Sequence, residues 1–274
     1  MKLGCQSITW GGVVGHPVGV TSVKDLYYLA HGSTENALRE IAAAGYAGVE
    51  IFDGNLVEAA PGGRFRELLA ETALELVAVY SGANFIFPEI LGEELARIEK
   101  VAALAAEHGA GHLVVGGGAQ TARGTTDNDY VQLAAGLDRV VEVADRWGLV
   151  ASYHPHLSTI VETPAQIEKV MSRSRINFCP DIAHLAAAGG DPAALIRAYA
   201  DRIEYVHLKD FTADPFAFLP LGEGALDLDG ILRALIETGY DGWLTVEVDE
   251  HPSPRAAIET SRTFLSERLG GHLD

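Results

Sequence analysis

Four apolar runs in the second half of the chain each end on a residue type that binds metal ions: His154 in LVASYHPH, Asp181 in INFCPDIAH, His207 in IEYVHLKD and Glu247 in WLTVEVDE. Taken singly, each reads better as a satisfied polar residue at a strand end. Four in sequence are harder to dismiss, because an unpaired histidine or carboxylate is costly there and one shared cation compensates them all. Two imidazoles and two carboxylates, with no thiolate, suit Mn²⁺, Co²⁺, Fe²⁺, Mg²⁺ or Zn²⁺, with Mn²⁺ or Co²⁺ favoured. Such an ion is a Lewis acid: held on a substrate carbonyl and the neighbouring hydroxyl, it stabilises the enolate formed when a base removes the α-proton.

Side chains two apart on a strand share a face, which adds His156, Lys209 and Asp249 to the same end of the structure. His184 follows Asp181 by three residues and falls at the pocket edge. His156, His184 and Lys209 are the acid/base candidates, since imidazole titrates near neutrality and a lysine beside a cation has a lowered pKa. Glu50, in AGVEIF, is a further catalytic candidate that could bind a substrate hydroxyl or pair with a cation. Trp10 offers an apolar wall for a sugar-ring face, and Glu223 and Asp249 complete the expected substrate contacts. Glu223 lies in PLGEGALDLDG, a turn leading to a helix capped by Asp227 or Asp229.

Elements able to position these residues are legible along the whole chain. Short runs rich in Val, Ile and Leu alternate with segments of helical period, with no linker between. The runs are Leu3–Thr9, Ala47–Phe52, Leu76–Ser81, His112–Gly116, Leu149–His154, Ile176–Asp181, Tyr205–Lys209 and Trp243–Val248. Eight such units predict an α/β fold of the (β/α)₈ barrel type as one domain over 1–274, with its active site at the C-terminal strand ends. Helices are predicted over Thr34–Ala44, Glu93–His108, Tyr130–Trp147 and Asp229–Thr238. Gly45, Gly109, Gly148 and Gly239 stand where a left-handed residue ends a helix, and Thr163-Pro164 and Asp191-Pro192 place a capping side chain before an N1 proline. The glycine-rich loop from Gly11 to Val20 and the run Gly116-Gly117-Gly118 lack the spacing of a dinucleotide-binding loop, and read as turns or a lid at the barrel mouth.

Bulk composition narrows the partners. Lys and Arg total 20 against 38 Asp and Glu, a formal net charge of −18, which argues against nucleic acid and anionic membrane surfaces. No apolar run approaches the roughly 18 residues a membrane span needs, and the N-terminus carries no apolar signal core. A cytoplasmic location is expected, with Cys5 and Cys179 as reduced, buried thiols.

On these residues the sequence resembles the sugar phosphate isomerase/epimerase superfamily of xylose isomerase-like TIM barrels, and among them the inosose (2-keto-myo-inositol) dehydratases. The blocks that carry the resemblance are GCQSITW, AAAGYAGVEIF, YHPHLSTIVET, PDIAHLAAAGGDPAALI, RIEYVHLKD, PLGEGALDLDGIL and GYDGWLTVEVD, nearly the whole chain in order. The resemblance implies metal binding at Asp181, His207 and Glu247, with His184 near the substrate. It implies a small-molecule sugar or cyclitol as the partner, and it allows a homo-oligomer without fixing its size. Most members have a glutamate where this chain has His154. Losing one of two proton-shuttling carboxylates favours water elimination over epimerisation, and a less negative ligand set makes the ion a stronger Lewis acid. The alternative is a ketose or sugar phosphate isomerase or epimerase on the same scaffold. More distant readings are a C-glycoside-cleaving subunit, an endonuclease-like phosphodiesterase and a non-catalytic sugar-binding subunit.

Overall fold

The protein is described by a computed structural model covering residues 1–11 and 27–273. Strand β1 (Lys2–Gln6) and helix α1 (Thr34–Ala43) are followed by β2 (Gly48–Phe52) with α2 (Asp53–Ala59) and α3 (Arg64–Thr72), then β3 (Glu75–Ala83) with α4 (Pro88–Glu107). Next come β4 (His112–Gly117) with α5 (Asp127–Trp147), β5 (Val150–Tyr153) with α6 (Pro164–Met171), and β6 (Asn177–Phe178) with α7 (Ile182–Ala187) and α8 (Pro192–Ala198). β7 (Tyr205–Leu208) leads into a hairpin, β8 (Asp210–Ala213) and β9 (Phe216–Leu219), and then α9 (Leu228–Glu237). The last unit is β10 (Trp243–Val246) with α10 (Pro254–Leu269).

Eight of these strands are parallel neighbours in the order β6-β5-β4-β3-β2-β1-β10-β7. Bridges between Phe178 and Ile203 and between Asp181 and His207 join the two ends, so the sheet closes into the (β/α)₈ barrel. Helices pack outside it through their apolar stripes. In α1, for example, Leu38 and Ile41 are fully buried, each contributing about 2 kcal/mol by transfer from water. A second, smaller cluster fills the barrel interior with Ile8, Phe52, Val77, Ala78, Tyr80, Val114, Cys179 and Tyr205, against Trp243. Gly48 is needed there: a Cβ would come within 2.2 Å of Val77 and 2.8 Å of the Trp243 ring.

The helix punctuation is realised. Gly45, Gly109, Gly148 and Gly239 all have φ between +69° and +86°. Thr163 forms a capping box with Gln166, Asp191 accepts from the Ala194 N–H, and Asp227 rather than Asp229 caps α9. Cys5 and Cys179 are buried and free.

Three expectations are corrected. β1 ends at Gln6 instead of Thr9, because the Gln6 side chain accepts from the Ile8 N–H and starts a 3₁₀ turn over Ser7–Trp10. β6 is two residues long, because Asp181 is the N-cap of α7 and its side chain accepts from the Ala183 and His184 N–H groups. The hairpin β8–β9 has no counterpart in the predicted elements. Of the loop 11–20, only Gly11 lies within the described residues. Among the described residues, no helix is long and apolar enough to cross a membrane.

Candidate metal centre

β5, β6, β7 and β10 are the last four barrel strands in chain order, and the residues at their C-terminal ends meet. His154, Asp181, His207 and Glu247 each present one ligand atom, all within 4.8 Å of one another, and all four residues are buried. The barrel register explains the meeting: Thr245 pairs with His207 on β7, and Asp181 bridges to His207, so the ends of three strands stand at one height.

His154 Nε2 lies 3.4 Å from Asp181 Oδ2, and His207 Nδ1 lies 3.1 Å from Glu247 Oε2. His207 Nδ1 makes no hydrogen bond despite that approach, and His154 Nδ1 and both ring nitrogens of His184 are likewise buried without partners. Two donor atoms each about 2.1 Å from one ion, at angles near 90–110°, stand about 3.0–3.4 Å apart. These two pairs therefore have the spacing of donors that share a divalent cation, and the hard oxygens and borderline nitrogens exclude no ion from the expected group.

Lys209 sits in the middle of this cluster. Its ammonium lies 2.9 Å from Asp181 Oδ2, 2.8 Å from Glu247 Oε2 and 2.8 Å from Asp249 Oδ1. Burial alone would lower its pKa, but the carboxylates of Asp181, Asp249 and Glu247 reverse this and hold it well above its ordinary value. The sequence argument for a lowered lysine pKa rested on a neighbouring cation, and these three acids act in the opposite sense. Conversely, burial opposes charge on Asp181 and Glu247, and the Lys209 charge, helped by nearby histidines, keeps both well below the usual carboxylate range. Asp249 is pushed up to about 7, first by burial and then by Glu247, with Lys209 pulling the other way.

Two further histidines line the cluster. The His156 and His184 rings are 3.9 Å apart, at 5.6 and 5.7 Å from the His154 ring. His156 Nδ1 is 2.7 Å from the Leu157 carbonyl oxygen, so Nδ1 carries the proton it donates and Nε2 keeps a lone pair. Burial lowers the His156 pKa to about 4, with the His154 charge adding to it, and burial also drives His184 well below its ordinary value. Both are neutral imidazoles.

Glu50 is fully buried at the side of the cluster, with Oε2 3.0 Å from His207 Nε2. Trp10 is turned toward α1, where its indole N–H donates to Glu40 Oε2 at 2.6 Å. Glu223 is exposed on the loop after β9. That loop is pinned by Asp210, whose carboxylate accepts from the N–H groups of Phe211, Gly222, Gly224 and Leu226. Among the described residues no hydrogen bond, ion pair or ring contact joins Trp10 or Glu223 to His154, Asp181, His207, Lys209 or Glu247.

Sequence reasoning passed over two aromatic residues. Phe218, on β9, packs 4.8 Å from the His184 ring and lies under the Lys209 ammonium at 5.0 Å. The alternation in FTADPFAFL around an Asp-Pro turn was the available signal for this hairpin. Tyr80 stands edge-on to His154 at 5.5 Å, and its hydroxyl occupies the space a Cβ at Gly116 would need.

Comparison with known proteins agrees with the fold. The model of the xylose isomerase-like TIM barrel family matches residues 38–268. An inosose dehydratase of Geobacillus kaustophilus is 29% identical over 89% of each chain. Inosose dehydratase 1 of Bacillus cereus is 26% identical over 98% of each. The crystal structure of 3-keto-D-glucoside 4-epimerase from E. coli superimposes with a TM-score of 0.73 at 20% identity, covering 97% of this chain and 99% of that one, a likeness of fold.

Proposed function

Because the chain belongs to the xylose isomerase-like TIM barrel family, we propose that it is a divalent-metal-dependent lyase that removes water from a keto-cyclitol of the inosose type. The observation that carries this reading is the buried convergence of two imidazoles and two carboxylates from four strand ends around the Lys209 ammonium. His154, Asp181, His207 and Glu247 would hold the ion, with Mn²⁺ or Co²⁺ favoured. When bound, it supplies Lewis-acid polarisation of the substrate carbonyl.

The remaining residues divide the proton transfers between them. His156, with its proton fixed on Nδ1 by Leu157, has Nε2 free as a base for the proton α to the carbonyl. His184, with both nitrogens unpartnered beside it, can receive that proton in turn. Lys209 is held as an ammonium by the three carboxylates around it, so it contributes its charge and not its proton. The C–H and C–O bonds break, a C=C bond forms, and the proton taken by the histidine pair leaves on the β-hydroxyl as water. Asp249 holds the ammonium in place, and Phe218 shields it from water on one side.

Purified protein incubated with a keto-inositol and Mn²⁺, Co²⁺, Mg²⁺, Fe²⁺ or Zn²⁺ in turn should develop the ultraviolet absorbance of an unsaturated diketone, abolished by chelation. Solvent deuterium entering recovered substrate with no absorbance under any ion would replace dehydration by isomerisation or epimerisation.

A further inference from the structure

Glu50 is a carboxylate with no exposed surface, carried on a different strand from all four ligands, yet aimed at one of them. The aim follows from strand alternation. Along β2, Val49 and Ile51 pack into the core outside the barrel and Phe52 into the cluster inside it, so Glu50 shares the inward face with Phe52. It stands between Gln6 on β1 and the small Ala78 on β3, with Oε2 3.0 Å from His207 Nε2.

That contact fixes the histidine. A carboxylate only accepts, so the Nε2 facing it must bear a proton, and an imidazole whose Nε2–H is held in this way presents its Nδ1 toward Glu247 Oε2, 3.1 Å away. Ring rotation about Cβ–Cγ would remove the Glu50 bond and turn Nδ1 away from the other ligands. We propose that Glu50 is a positioning residue: it holds the orientation of His207 from behind, presenting Nδ1 to the divalent ion, and it does not touch substrate. The inference rests on the four-ligand reading above and deepens it. A hydrogen-bonded carboxylate behind a ligating histidine both orients the ring and makes it a better donor, and losing one typically weakens metal binding by about 10- to 100-fold.

The test compares Mn²⁺ affinity, by titration calorimetry and by the paramagnetic resonance of free Mn²⁺, in the wild type, Glu50→Gln, Glu50→Asp and Glu50→Leu, with circular dichroism and melting followed alongside. Glu50→Asp keeps the charge but, one methylene shorter, falls short of Nε2. Expected is a loss of Mn²⁺ affinity on the order of 10-fold for Gln, more for Asp and Leu, with the keto-cyclitol KM at saturating Mn²⁺ unchanged in Gln. A KM increase with intact Mn²⁺ affinity would make Glu50 a substrate contact and overturn the proposal. So would lower melting temperatures with wild-type Mn²⁺ affinity, the pattern of a purely structural role. Should Leu not fold, Gln and Asp decide the matter. Wild-type protein that takes up no Mn²⁺ would sink the four-ligand reading itself, whereas wild-type uptake matched by every variant would sink only the role of Glu50.

Discussion

Replacing Lys209 with Met keeps the length of the side chain and removes its charge, which makes it a direct probe of the buried cluster. The ammonium has three carboxylate oxygens within 2.9 Å. At an effective dielectric of about 20, each contact is worth roughly 6 kcal/mol of gross attraction, most of it offset by the desolvation of the charges. Removing one partner leaves that desolvation uncompensated, so Lys209→Met in chelator should be less stable than the wild type by about 3–5 kcal/mol. In a chain of this size the loss corresponds to a fall in Tm on the order of 10 °C. Saturating Mn²⁺ should then narrow the gap, because the dication neutralises Asp181 and Glu247 in the lysine's stead, and ligand at 100 times its Kd adds about 2.7 kcal/mol to any state that binds it. Denaturant unfolding of both proteins in chelator and in excess Mn²⁺ measures the effect. If the two proteins were equally stable in chelator, or the gap were unchanged by Mn²⁺, the idea that lysine and ion share the same carboxylates would be wrong.

Asp210→Ala removes an acceptor from four backbone N–H groups, those of Phe211, Gly222, Gly224 and Leu226. With part of the loop rehydrating, we expect a loss of about 3 kcal/mol and new protease cleavage within residues 220–226; a loop as resistant as in the wild type would show that Asp210 does not pin it. His112, at the start of β4, has its pKa lowered by burial from 6.5 to about 4, so the unfolded chain binds its proton first as pH falls. Its contribution is fully present above pH 6.5 and is lost between there and pH 4, to a total of about 3 kcal/mol. Asp53, raised to about 6 by burial, acts in the opposite sense, so the measurement is the difference between wild-type and His112→Gln stability across pH 4–7; parallel curves would refute the assignment.

The candidate site was legible to the extent that it is local. Each candidate ligand is a polar residue closing an apolar run, and a parallel barrel converts that position in sequence into a common height in space. Asp181 also shows why the strand lengths were not legible: the same carboxylate caps α7, so the residue that ends the apolar run belongs to the helix after it. The inward direction of Glu50 follows the alternation within AGVEIF, whereas its partner His207 lies 157 residues on and no pattern within that run encodes it.

The charge state of Lys209 was the least accessible feature, and it matters most to the chemistry. Reading LKD and EVD separately pairs each charge with its own neighbours, whereas the fold brings Glu50, Asp181, Glu247 and Asp249 into one buried volume with a single lysine. His207, with Glu50 and Glu247 on either side, is held well above its ordinary pKa against the effect of burial, so it adds one more positive charge. In that volume Asp181 and Glu247 are held ionised beside these two cations, while burial works against a charge on Asp249. Binding of a dication would compete with the proton on His207 Nδ1 while Glu50 keeps the proton on Nε2, so metal uptake should weaken as the pH falls.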